Sequence, residues 1–220
     1  MTSAVSFFGS TIARKVIMAL SGVVLFGFVV VHMIGNLQVY LGPHAINEYG
    51  VFLREVLHGS GIWIARGVLL LAVVLHIWSA TSLTLTSWAA RPVGYRAEQH
   101  RQSTYASRTM VWSGPLLFFF ILFHLADLTL GPANPSFIEG DVHHNLVASF
   151  SRWPVSVFYI VAMLALGLHL RHGIWSLLQT LGASHPRWNA LRSAFATFFT
   201  AVVVIGNISF PLAVLTGLVK

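Results

Sequence analysis

The sequence STIARKVIMALSGVVLFGFVVVHMIGN, residues 10–36, decides the fold class, because no Asp, Glu, Lys or Arg follows Lys15 in it. About 20 predominantly apolar residues are enough for a helix to cross the hydrocarbon core of a bilayer. No small-residue cleavage site is evident near this stretch, so it does not indicate a removable signal peptide. We therefore predict that a first membrane-spanning helix occupies residues 15–40.

Further apolar stretches of comparable length follow at residues 62–90, 107–130, 154–181 and 193–219. Their lengths predict additional membrane-spanning helices. The connection GPHAINEYGVFLREVLHGSG, residues 42–61, is predicted to contain a short helix at the membrane interface. The predicted fold is all-α: an integral membrane bundle of five transmembrane helices that forms a single domain over residues 1–220.

The composition also indicates a membrane protein. Of the 220 residues, 56% are hydrophobic and 9% are charged, whereas a soluble domain carries about 25% charged residues. The net charge of +7 comes from basic residues that flank the spans instead of forming one patch, so we expect no nucleic-acid partner. Because the chain has no cysteine, it cannot itself hold thiolate-ligated haem, a cysteine-ligated iron–sulfur cluster or a disulfide.

The distribution of the basic residues predicts the orientation of the bundle. If the N-terminus is cytoplasmic, the residues on that side are Arg14, Lys15, Arg91, Arg96, Arg101, Arg108, Arg171, Arg187 and Arg192. The residues on the opposite side are Arg54, Arg66, Arg152 and Lys220. Because positively charged loops are retained preferentially in the cytoplasm, we predict an N-in, C-out topology in the cell inner (cytoplasmic) membrane.

Histidines occur in each of the first four predicted spans: His32, His76, His124, and then His169 and His172 together in the fourth. A single intramembrane histidine fits a structural hydrogen bond between helices. Histidines in four helices favour ligation of haem instead, because neutral imidazole is a good axial ligand for iron and cysteine is absent.

The helical rise from the predicted inner ends sorts four of these histidines into two levels. His32 and His124, the outer pair, lie about 24–27 Å from the inner face, and His76 and His169, the inner pair, lie about 18–21 Å from it. Two pairs at two depths predict two stacked b-type haems. His172 lies about 4.5 Å further toward the cytoplasm than His169 and has no partner histidine at its level.

The chain resembles the cytochrome b membrane-anchor subunit of succinate dehydrogenase and fumarate reductase, in the single-anchor, five-helix, dihaem type. The resemblance is carried by the opening stretch quoted above, by the spacing of the outer and inner pairs, and by HLRHGIWSLLQTLG, residues 169–182. It implies that His32 and His124 ligate the haem iron far from the partner subunits, and that His76 and His169 ligate the near one.

The resemblance also implies the partners. A flavoprotein subunit oxidises succinate, an iron–sulfur subunit relays the electrons, and the anchor passes them through haem b to membrane quinone, either menaquinone or ubiquinone. Catalysis on succinate would then take place on the partner subunits, and the anchor would contact lipid. The direction of the reaction and a higher oligomer of the complex stay open.

Haem propionates and quinone need polar partners near the helix ends. Candidates on the inner side are Ser21, Arg14, Lys15, Arg108, Arg171 and His172. Among these, Arg171 and His172 are predicted to meet a haem propionate or the water boundary. Candidates on the outer side are Asn36, Gln38, His44, Glu48, Asp127, His143 and His144. Asp127 indicates either an outer proton path or a helix end, because an unpaired carboxylate is costly within a membrane.

Other functions are compatible with parts of the pattern. One alternative is a fumarate reductase anchor that runs in reverse, and another is a cytochrome b subunit of a different respiratory dehydrogenase, such as one for formate or hydrogen. A third alternative is a haem-free transporter or structural anchor, which explains the spans but leaves four depth-sorted histidines without a role.

Overall fold

The computed structural model describes residues 9–90, 105–183 and 185–220, and these ranges contain helices and no strand. The α-helices within them are α1 Thr11–Asn36, α2 Pro43–Glu55, α3 Ser60–Ala89, α4 Tyr105–Arg108, α5 Met110–Leu128, α6 Val142–Phe150, α7 Trp153–Thr180 and α8 Asn189–Leu215. Two short 3-10 helices, Leu37–Leu41 and Pro186–Trp188, extend α1 and precede α8. The predicted all-α class is confirmed.

Five of the helices are long and apolar enough to cross a membrane: α1, α3, α5, α7 and α8. Their bounds differ from the predicted spans by at most four residues, and the largest differences are at the ends of α1 and α8. The helix α1 begins before residue 15 because the hydroxyl of Ser10 accepts a hydrogen bond from the N–H of Ala13 at 3.1 Å. Such a cap stabilises the first turn ahead of the apolar run.

Two shorter helices lie between the spans at one end of the bundle. The helix predicted within residues 42–61 is α2, whereas α6 has no counterpart among the predicted helices. One carboxylate oxygen of Asp141 accepts hydrogen bonds from the N–H of His144 at 2.9 Å and from the side chain of Asn47 at 3.0 Å. The start of α6 is therefore stabilised partly by a contact with α2, which a local sequence pattern does not reveal. We call α2, residues 129–141 and α6 together the cap.

The long helices pack as antiparallel neighbours. The helix α1 packs chiefly against α3, α5 against α7, and α7 against α8, while α1 also contacts α7 and α8. Gly167 allows α7 and α8 to approach closely, because a Cβ atom at this position would lie 2.8 Å from Cγ2 of Val204. This packing places the four histidine-bearing helices next to one another.

The surface of the bundle is apolar. The larger buried cluster lies at the cap end, and it includes Met33, Ile46, Phe120, Phe150 and Tyr159. The long helices also carry large apolar side chains on their outer faces, such as Leu70, Trp112 and Phe119. A surface of this kind suits lipid and not water. The chain is therefore built as a multi-pass membrane protein.

The orientation of the bundle stays a prediction. Arg91, Arg96 and Arg101, which contribute to the predicted cytoplasmic charge, lie outside the described residues.

Candidate functional site

The four histidines of the outer and inner pairs meet two by two across the bundle. The ring centres of His32 in α1 and His124 in α5 are 5.8 Å apart, and the ring planes are at 90°. The ring centres of His76 in α3 and His169 in α7 are 6.1 Å apart, and the planes are at 54°. The structure thus brings together the same partners that share a predicted depth.

These separations fit a metal ion between two imidazoles. Ring centres that face each other across one metal ion are roughly 6.4 Å apart, since a metal–nitrogen bond is about 2.0–2.1 Å long. Within residues 9–90, 105–183 and 185–220, no cluster of three or more His, Asp or Glu side chains could hold a metal ion. Each pair therefore offers two ligands, which suits a haem because the porphyrin supplies the other nitrogen ligands itself.

Hydrogen bonds define the protonation of His76. Its Nδ1 lies 3.2 Å from the carbonyl oxygen of Met18, which can only accept. The hydroxyl of Ser21 is 3.3 Å from the same nitrogen and donates its own proton to the carbonyl of Ile17 at 2.7 Å. Nδ1 of His76 therefore carries the ring proton, and Nε2 keeps the lone pair that a metal ion needs.

His169 has a similar contact on the opposite side of the inner pair. Its Nδ1 lies 3.2 Å from the hydroxyl of Ser113, a buried residue of α5. The Ser113 hydroxyl can donate to the carbonyl of Met110 at 3.5 Å, which leaves its oxygen free to accept from His169. Both histidines of the inner pair are thus held through Nδ1 by neutral groups of a neighbouring helix.

The outer pair is held differently. Nδ1 of His124 lies 3.3 Å from the hydroxyl of Tyr159, which in turn donates to a carboxylate oxygen of Asp127 at 3.0 Å. Asp127 is fully buried, and it also accepts hydrogen bonds from Ser149 and from the guanidinium of Arg152. We call Asp127, Ser149, Arg152 and Tyr159 the outer polar network.

His32 departs from this pattern, because Nε2 and not Nδ1 makes its hydrogen bond. The side-chain nitrogen of Asn36, one turn further along α1, lies 3.2 Å from Nε2 of His32. Phe28, one turn earlier, stacks on the ring at 5.2 Å between ring centres. Nε2 of His32 again has its lone pair, but a metal ion can reach it only when the Asn36 side chain turns away.

Of the other predicted residues, Ser21 contacts His76 and Asn36 contacts His32, as described above. Arg171 donates to the hydroxyl of Ser193 at 2.8 Å, and the exposed Arg108 lies over the ring of Tyr105 at 6.0 Å. His172 is half-buried and makes no hydrogen bond among the described residues. The predicted roles of Arg108, Arg171 and His172 beside a haem propionate stay predictions.

A cleft of about 440 Å³ lies where the cap meets the ends of α1 and α8. Its lining is mainly apolar, with polar groups from a few side chains, and consists of Val39, Tyr40, Gly42, Pro43, His143, Leu218, Val219 and Lys220. Of the predicted outer quinone candidates, His143 lies in this cleft. His144 instead places Nε2 at 2.9 Å from the carbonyl of Ser136.

Ser21, Asn36 and Asp127 were among the predicted candidates, whereas the other hydrogen-bonding residues around the histidines were not predicted. Ser113 could have been found, because it precedes His124 by the same eleven residues that separate Ser21 from His32. Eleven residues make about three helical turns, so both residues of each pair lie on one face. Tyr159, Ser149 and Arg152 leave no comparable signal in the sequence.

A family model for the succinate dehydrogenase/fumarate reductase transmembrane subunit matches residues 90–207. The matched segment is more than half of the chain, and it includes His124 and His169. No curated protein and no solved structure matches the chain.

Proposed function

The chain belongs to the succinate dehydrogenase/fumarate reductase transmembrane subunit family, and we propose that it is a cytochrome b anchor of the five-helix, dihaem type. In this proposal, residues 1–220 act as one domain. His32 and His124 ligate an outer haem iron, and His76 and His169 ligate an inner one.

The observation that carries this proposal is the spacing of the two histidine pairs. Ring centres 5.8 and 6.1 Å apart leave room for one metal ion between the two rings of each pair. Three of the four rings also have Nδ1 beside a hydrogen-bond partner from another helix. Metal-binding histidines are oriented in this way in proteins, since a partner at one ring nitrogen directs the lone pair of the other toward the metal.

The chain's own residues bind, orient and shield the group. When bound, haem b gives and accepts one electron at its iron. Phe120, which is buried, lies 5.8 Å from the ring of His124 and keeps water from its apolar side. Arg171 and His172 are proposed to meet a propionate near the inner end of α7.

The absence of cysteine determines which chemistry belongs to the partners. The iron–sulfur clusters that supply electrons must be bound by another subunit, because this chain has no thiolate ligands. We place the iron–sulfur and flavoprotein subunits on the cytoplasmic side, next to the inner pair. His76 and His169 would then hold the haem nearer to those subunits, and His32 and His124 would hold the one farther from them, for either direction of the reaction.

The cleft beside the cap is the quinone site in this proposal. Its apolar lining suits the ring of a quinone, and the imidazole of His143 can donate a hydrogen bond to a quinone carbonyl. Its position at the cap end makes the outer pair the nearer electron donor.

The test of the proposed function is the haem content of the purified complex. We expect two b-type haems for each copy of this chain, a reduced-minus-oxidised spectrum with b-type bands, and co-purification of a flavoprotein and an iron–sulfur protein. One haem for each chain would contradict the dihaem type, and a complex without haem would exclude a cytochrome.

A further inference from the structure

We propose that Tyr159 and Asp127 are positioning residues for His124, which fix the proton on its Nδ1 and so leave Nε2 free to bind iron. This inference rests on the proposed function, because it takes His124 as a haem ligand. It concerns the outer polar network, which links a predicted ligand to a fully buried carboxylate through one hydroxyl group.

The direction of each hydrogen bond determines the tautomer. The hydroxyl of Tyr159 has one proton and donates it to Asp127 at 3.0 Å, because an ionised carboxylate can only accept. Toward His124, at 3.3 Å, the same oxygen can therefore only accept. Nδ1 of His124 must then carry the ring proton.

Further contacts keep Asp127 in this role. Its second carboxylate oxygen accepts from the guanidinium of Arg152, and Ser149 donates to the oxygen that Tyr159 also uses. Arg152 donates in addition to the carbonyl of Ala133 in the cap at 2.8 Å. Buried ion pairs contribute little stability compared with apolar residues of similar size. The network is therefore better explained by the orientation of the ligand than by stability alone.

The outer pair differs from the inner pair because the hydrogen-bond partner of His124 is itself bonded to a charged group, the carboxylate of Asp127. His76 and His169 donate to a carbonyl or a serine hydroxyl, whereas His124 donates to a tyrosine that is hydrogen-bonded to a carboxylate. A carboxylate behind a histidine makes the imidazole a more basic ligand. Greater basicity favours the oxidised iron. The outer polar network would therefore lower the midpoint potential of the haem that His124 holds, and it would leave the midpoint potential of the inner haem unchanged.

The experiment is redox titration of the assembled complex that carries Tyr159→Phe, which removes only the hydroxyl. We expect the midpoint potential of the outer haem to rise and its absorption band to shift, while the inner haem keeps both. The outer signal is identified as the one that His32→Ala removes. Tyr49→Phe is the matched control, since it also removes one tyrosine hydroxyl and its ring stacks on Phe52 of α2 at 6.4 Å between ring centres.

The outcomes separate this inference from the proposed function. A wild-type complex without haem would refute the proposed function. A wild-type complex with two haems, together with an unchanged outer potential in Tyr159→Phe, would overturn the inference alone. If Tyr159→Phe fails to assemble, the double variant Asp127→Asn with Arg152→Gln replaces it, because it removes both charges together. We expect the outer potential to rise here as well, since Asp127 is one hydrogen bond closer to His124 than Arg152 is, and an unchanged potential would again overturn the inference.

Discussion

The hydroxyl of Ser113 lies 3.2 Å from Nδ1 of His169, and eleven residues later on the same helix Ser113 is followed by His124. Ser21 and His32 repeat this relationship on α1, where Ser21 contacts His76. Each of the two helices therefore contributes a histidine to the outer pair and a hydroxyl to the inner pair. The helices α1 and α5 therefore contribute to the two pairs in the same way, although the chain shows no obvious sequence repeat.

The serine contacts predict a selective effect on the inner haem. Ser113→Ala removes the acceptor of His169 Nδ1, and loss of such a partner typically weakens metal binding about 10–100-fold. We expect faster loss of the inner haem to an external haem acceptor, while the outer haem is retained. Ser176→Ala is the control, because the hydroxyl of Ser176 on α7 donates to the carbonyl of Gly173 within its own helix at 3.1 Å. Equal retention of both haems in Ser113→Ala would show that this contact is not needed.

The two neighbouring histidines of α7 are expected to behave differently. His169→Ala should remove the inner haem, because the ring that lies 6.1 Å from His76 is lost. His172→Ala should keep both haems, since the ring contacts of the described residues pair His169, and not His172, with His76. Haem content by spectroscopy provides the measurement. A variant His172→Ala without the inner haem would reverse the assignment on this helix.

The cleft predicts a difference between two consecutive histidines of α6. His143 lines the cleft, and His144 instead contacts the carbonyl of Ser136. We expect His143→Ala to raise the KM for quinone about tenfold, which corresponds to the loss of one hydrogen bond of about 1.4 kcal/mol, with haem content unchanged. His144→Ala should leave the KM at the wild-type value. An equal KM in both variants would exclude His143 from quinone binding.

The hydrogen bond between Asp141 and the first turn of α6 predicts a pH dependence. The hydrogen bond from the N–H of His144 is the main cause that holds the pKa of Asp141 below its ordinary value of 3.8, and the side chain of Asn47 adds to it. A lowered pKa in the folded protein means that the carboxylate stabilises α6 above the ordinary pKa and loses this effect as the pH falls through the lowered one. We therefore expect amide exchange in residues 142–150 to accelerate below about pH 4, relative to the intrinsic exchange rate.

Two replacements of Asp141 separate the effect of its charge from the effect of its hydrogen bond to the first turn of α6. Asp141→Asn should keep the helix cap but lose the acid dependence, whereas Asp141→Ala should destabilise α6 at every pH by about 0.5–2 kcal/mol. Glu139→Gln is the control, because the exposed Glu139 lies outside the helix. An acid dependence that persists in Asp141→Asn would assign it to another group.

The sequence predicts the spans well because a continuous apolar run is a local property, and its length is compared with a fixed membrane thickness. The pairing of His32 with His124 and of His76 with His169 also follows from counting along each helix. The start of α6 could not be predicted in this way, since Asn47 reaches Asp141 only through the packing of α2 against α6.

The outer polar network was hidden for a related reason. Asp127 by itself indicated either a proton path or a helix end, and the structure shows it fully buried and paired with Arg152. Its partners all lie within residues 149–159, around the junction of α6 and α7, and their hydrogen bonds to Asp127 depend on how α5 packs against this segment. The position of Asn36 on Nε2 of His32 depends on a side-chain rotamer, which a sequence does not specify.

The eleven-residue spacing from serine to histidine gives the same axial distance between the two residues in α1 and in α5. Because Ser21 and Ser113 contact the inner pair, this spacing separates the two levels by about 16 Å, which corrects the predicted separation of about 6 Å. A rise of about 16 Å is about half of a hydrocarbon core about 30 Å thick. In the proposed arrangement, an electron that moves between the two levels therefore crosses about half of the transmembrane voltage, which changes its energy by about 1 kcal/mol for each 100 mV. If the two pairs hold haems as proposed, the geometry of α1 and α5 would make the redox balance between those haems depend on the membrane potential.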